Sequence, residues 1–162
     1  MPNYTFIAET ARKLERKAEN GKAFPTVHIF YVKFKDLPGS KDDVNKNIPS
    51  EVNIRTTEDL EKSPAKKSVY GQIEQSIKSL GLNGEYSPET NLPGFFLYRN
   101  SGICITAQSV NKIADKDEKY EIEISDVDIH GIFDGGHTYR TIIENREKED
   151  GSFYDESVML QV

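Results

Sequence analysis

Tryptophan is absent from the 162 residues and cysteine occurs once, as Cys104. Without tryptophan, phenylalanine and tyrosine must supply the large core side chains. A single cysteine excludes an internal disulfide framework and a cysteine-rich zinc site. It lies in the apolar run Ile103-Cys104-Ile105, where a free cysteine packs as a small hydrophobe. A basic excess is also missing: the formal net charge is −6, whereas a protein that grips a duplex by bulk electrostatics carries a basic stripe. Two local clusters, Lys62/Lys66/Lys67 and Arg12/Lys13/Arg16/Lys17, read first as solvated helix faces and only second as phosphate contacts. No apolar run approaches the ~20 residues of a membrane-spanning helix, and Met1-Pro2-Asn3-Tyr4 does not open a basic-then-apolar leader. A cytoplasmic protein with no membrane partner is the expectation.

Several chemical signatures are missing as well. There is no His-x-x-x-His or Cys-x-x-Cys spacing, so no metal ligand is assigned. No Gly-Lys-Ser/Thr follows a glycine turn, and no serine nucleophile elbow is present. Neither a repeat nor a low-complexity tract is apparent. The cofactor is left unknown.

What remains is a chain long enough for one domain with a genuine core, 36% hydrophobic and 30% charged. The spacing of Ile7, Ala11, Leu14 and Ala18 predicts a helix over residues 5–20, ended by Asn20-Gly21. Pro25 opens a β-branched and aromatic run, 26–34, that reads as a strand with His28 on one face. Residues 36–43 read as a loop, and a second short strand is expected near 52–55. Ser63-Pro64 then caps a helix that turns Val69, Ile73, Ile77 and Leu80 inward and stops at Gly81. Residues 81–94 read as a long loop. Phe95–Arg99 and Ile103–Ala107 predict a hairpin about the turn Asn100-Ser101-Gly102, and Tyr120–Ile124 a half-exposed strand.

The densest information lies at Gly131-Ile132-Phe133-Asp134-Gly135-Gly136-His137-Thr138-Tyr139-Arg140. A strand expected over 127–133 stops at a Gly-Gly pair, polar residues follow, and Tyr139, Ile142 and Ile143 supply the apolar face of a helix. Glycines allow a sharp turn and close approach to a ligand, and the first amides of a helix favour an anion. Asp134 suits either a capping role or catalysis. Of the three histidines, His137 is the one placed to act as an acid or base or to donate to a phosphate. Gly135, Gly136, the Thr138 hydroxyl and the Arg140 guanidinium are the candidate phosphate contacts, with Asp134 and His137 the candidate catalytic pair. A purely structural connection is the competing reading of the same turn.

Taken with Tyr98-Arg99-Asn100-Ser101-Gly102-Ile103-Cys104-Ile105-Thr106-Ala107 and the segment Val69–Ile77, this turn resembles the AIPR family, the abortive-phage-infection resistance proteins, over about 53–143. That family shows an Asn-x-Gly-Ile turn, then an apolar strand running into an Asn/Asp-Gly-x-Gln/His-Thr turn. Asn100 and Gly102 thereby become secondary site candidates. A more distant similarity is to the Asp-Gly-Gln-His-Arg proteins associated with DNA modification and to the ParB/sulfiredoxin superfamily. Two departures matter. Gly136 stands where sulfiredoxin chemistry needs a cysteine, and Thr138 stands where the Asp-Gly-Gln-His-Arg pattern has its arginine.

The resemblance implies an α+β (or α/β) fold, a mixed β-sheet with flanking helices of ParB/sulfiredoxin-like type. It implies a role in phage defence through binding a nucleotide or nucleic-acid phosphate at the Asp-Gly-Gly-His-Thr turn, with hydrolysis left open; a non-catalytic interaction module is the alternative. Proteins of that family continue well beyond the last residue here. Residues 1–162 are therefore expected to be a single domain forming the N-terminal part of a longer protein, or else Val162 closes a sheet as its final strand.

Overall fold

A computed structural model of the chain describes residues 2–15, 20–21, 24–50, 73–74, 76–78, 96–97, 100–113 and 118–162. Among these, the strands are β1 (Asn3–Ile7), β2 (Thr10–Leu14), β3 (Val27–Lys33), β4 (Ile103–Thr106), β5 (Ser109–Lys112), β6 (Lys119–Glu123), β7 (Gly131–Asp134) and β8 (Ser157–Gln161). One helix, α1, spans Gly136–Asn145. Residues 73, 74, 76 and 77 are helical too. The strands form a three-stranded sheet in the order β1-β6-β5 and a five-stranded sheet in the order β2-β3-β8-β4-β7. All neighbours are antiparallel except β4 and β8, which run parallel. The fold is mixed α+β.

The core lies between the sheets. Phe30, Val32, Ile103, Ile105, Ile132, Val158 and Leu160 alternate with outward residues along the five-stranded sheet and are buried, as period-two side-chain placement requires. Phe6 of β1 meets Phe30 edge-on at 5.1 Å, and Tyr120 of β6 packs on Phe30 at 4.7 Å, so the small sheet covers one part of this face. Ile142 and Ile143 of α1 join the same core. Each such side chain, fully buried, contributes about 1.5–3 kcal/mol.

The described residues 5–15 form strands instead of the helix that spacing predicts over 5–20. Tyr4, Phe6 and Ala8 are buried while Thr5 and Ile7 are exposed, so the apolar period is two. Pairing of β1 with β6 from Asn3↔Glu123 to Ile7↔Lys119 fixes that register. Ile7 and Leu14, two members of the supposed helical stripe, are 47% and 54% exposed. Asn20 and Gly21 have φ of 54° and 73°. Two successive left-handed residues are what Asn-Gly supplies to a hairpin turn, here between β2 and β3, rather than a helix end.

Two further expectations change. Phe96 and Leu97 are helical rather than extended, against the strand expected over 95–99 and its hairpin about Asn100-Ser101-Gly102. Phe96 instead packs edge-on against Phe34 at 5.0 Å, its amide donating to the Glu156 carboxylate. The ladder partners of β4 are β7 and β8. The strand expected over 127–133 begins only at Gly131, because Asp126 gathers the preceding amides. Its carbonyl accepts from Ile129 and His130, and its carboxylate accepts from Asp128. That is side-chain turn chemistry competing with a ladder.

The strands expected at 26–34, 103–107 and 120–124 are present as β3, β4 and β6, and β5 was not anticipated. Ile77 is fully buried, in keeping with its inward placement in the expected helix. The start of that helix at Ser63-Pro64, its stop at Gly81, the strand near 52–55 and the loop 81–94 lie outside the described residues. No helix of the described residues is long and apolar enough to cross a membrane.

Candidate functional site

The ladder between β4 and β7 runs Thr106↔Gly131 and Ile105↔Ile132, then jumps to Cys104↔Asp134. Phe133 is thus an extra residue on β7. Such a bulge bends its strand and re-aims the side chains beyond it, and here it delivers the chain into the Gly-Gly turn. Asp134 emerges exposed, with Oδ1 accepting from the Gly135 amide at 2.8 Å. The N-cap of α1 is Gly135 itself, at φ 76° and ψ 16°, and among the described residues no side chain caps the helix. Its carbonyl accepts the first helical bond, from the Tyr139 amide at 2.9 Å.

The two sequence turns converge. A Cβ on Gly135 would lie 2.4 Å from the carbonyl oxygen of Gly102 and 2.9 Å from Cα of Ile103. Nδ2 of Asn100 donates to Oγ1 of Thr138 at 3.1 Å, and Oδ1 of Asn100 accepts from the Gly102 amide at 2.9 Å. The Asn-x-Gly turn at the start of β4 and the Asp-Gly-Gly-His-Thr turn at the end of β7 therefore form one unit. Within it Asn100 and Thr138 are bonded to each other, and Thr138 is buried.

Helical geometry then sorts the remaining candidates onto different sides of α1. Gly136, Tyr139 and Arg140 line a groove of about 500 Å3, walled on its far side by Lys41, Asn45 and Pro49. Asp134, Gly135, His137 and Thr138 are not among its lining residues. His137 is half-buried and Arg140 exposed. Arg140 Nε donates to Glu144 Oε1 at 2.8 Å, and Lys41 Nζ to Glu147 Oε2 at 2.8 Å. Both are exposed ion pairs, which hold a side chain only weakly. Among the described residues, no backbone carbonyl accepts from the Gly136 amide, one of the donors that a helix start leaves without an internal partner.

The far wall is held by Tyr139 and Arg146. The Tyr139 hydroxyl donates to the Pro38 carbonyl at 2.9 Å and accepts from the Ile48 amide at 3.0 Å. Burial pushes this phenol well above its ordinary range, so it stays protonated and keeps both bonds. Arg146 donates to the carbonyls of Phe34, Leu37 and Gly39 at 3.0, 2.6 and 2.7 Å. Neither anchor was recognised from the sequence, where Tyr139 read as part of an apolar face. For Lys41 the polarity of the 36–43 loop is the only sequence signal, and Asn45 lies beyond that loop.

Other titratable groups fall outside this arrangement. Burial, and secondarily the charge of Asp134, raises the Cys104 thiol above its ordinary range, the opposite of an activated thiolate. His130 is buried, its Nδ1 lying 3.0 Å from Ser125 Oγ and 3.3 Å from the Asp126 amide in the turn before β7. His28 stacks on Phe30 at 5.9 Å as a strand-face residue. Among the described residues, no three potential metal ligands cluster.

No curated protein and no solved structure matches the chain significantly. The model of one family does match, over residues 50–162, which include both converging turns, α1 and β8. The matched family is described as AIPR protein, and membership suggests a part in abortive-infection defence. With more than half of its length matched, the chain belongs to the AIPR family.

Proposed function

We propose that the chain acts in abortive-infection defence by binding the phosphate of a nucleotide or nucleic acid beside the first turn of α1. The observation that carries this reading is the groove of about 500 Å3 whose wall combines Gly136 with Arg140 and Lys41. An amide at a helix start and an arginine fork are both suited to phosphate oxygens. The volume lies within the roughly 300–1,000 Å3 range of small-molecule sites. A net charge of −6 fits a ligand held at one or two phosphates rather than along a duplex. Gly135 and Gly102 then act as the scaffold that sets the direction of α1. Kinship with ParB/sulfiredoxin-like proteins is an extension of this reading, supported by the motif likeness alone.

Hydrolysis is the finer version, with Asp134 and His137 as acid and base. A ligand seated in the groove would have to reach around the start of α1 to meet them. Binding without turnover, as an interaction module, is the second reading. The bonds of Asn100 to Thr138 and of Asp134 to Gly135 favour it, since they commit polar groups of the turn to the fold. Titration of nucleoside triphosphates and short single-stranded DNA or RNA, with inorganic phosphate release followed in parallel, tests both. Binding with release supports hydrolysis, and binding without release supports the module. No binding of any of them at millimolar concentration would end the phosphate reading.

A further inference from the structure

We draw no further inference here: the strongest candidate, the outer face of the five-stranded sheet where exposed Leu14 and Tyr31 lie near half-buried Ile29 and Met159, is an apolar surface for which nothing in the structure shows what covers it.

Discussion

Gly135 sits so close to Gly102 that a Cβ on the first would lie 2.4 Å from the carbonyl oxygen of the second. Backbone cannot move aside as a flexible side chain would. At φ +76° an alanine also meets the left-handed penalty, about 1–2 kcal/mol. Gly21 isolates that penalty, because it has φ +73° and nothing within 4 Å of its Cβ position. Gly21→Ala is expected to cost about 1 kcal/mol, and Gly135→Ala at least about 2 kcal/mol more through the collision. Equal losses for the two variants in denaturant melts would show that the turns are not locked together.

The fold was legible where local pattern and tertiary partners agree. The run 26–34 is β-branched and aromatic and follows Pro25, and the Gly-Gly pair marks the break between β7 and α1. Residues 5–20 misled because Ile7, Ala11 and Leu14 fall at helical spacing while burial follows Tyr4, Phe6 and Ala8. The deciding partner, β6, lies far along the chain and invisible to a local window. Asn20-Gly21 was the one local hint of a hairpin. The site divided in a similar way. Motif order suggested that the Asn100 and Gly135 turns belong together, but only strand pairing brings Gly102 against Gly135. The groove depends on the loop held by Tyr139, which no spacing rule encodes.

Tyr139→Phe would remove one hydroxyl and leave two groups without it, the Pro38 carbonyl and the buried Ile48 amide. A buried donor or acceptor left unsatisfied costs about 1–3 kcal/mol, so a loss of about 2–4 kcal/mol is expected. The far wall of the groove should loosen with it, seen as faster amide hydrogen exchange at Ile48. Unchanged exchange there would mean that the loop is held by other contacts.

Thr141 presents the reverse case. It is 2% exposed and its Oγ1 has no hydrogen-bond partner among the described residues. Valine keeps the shape and removes the orphaned polar atom, so Thr141→Val should raise stability by about 1 kcal/mol. A destabilised valine variant would reveal an unseen partner for the hydroxyl.

His28 has its pKa lowered, first by burial and then by the charge of Lys13. The unfolded chain therefore binds the proton more readily than the folded one. Stability is complete above the ordinary histidine range and declines as pH falls through it towards the lowered folded value. His28→Gln removes this term. Its stability relative to the parent should rise between pH 7 and pH 5, as followed by urea melts, and a constant difference would exclude a contribution from His28.

Arg140 and His137 separate the groove from the turn as the place where phosphate binds. Arg140 lines the groove and His137 does not. Arg140→Gln removes an exposed i,i+4 pair with Glu144, which helices hold at only about 0.3–0.5 kcal/mol. A lost charge-assisted contact to phosphate is larger, about 1.5–3 kcal/mol, and should weaken nucleotide binding roughly 10- to 100-fold. His137→Ala should leave affinity within about threefold of the parent, a change of under 1 kcal/mol, and should abolish phosphate release if hydrolysis occurs. The opposite pattern, affinity lost with His137→Ala and kept with Arg140→Gln, would move the ligand out of the groove and onto the Asp134 side of α1.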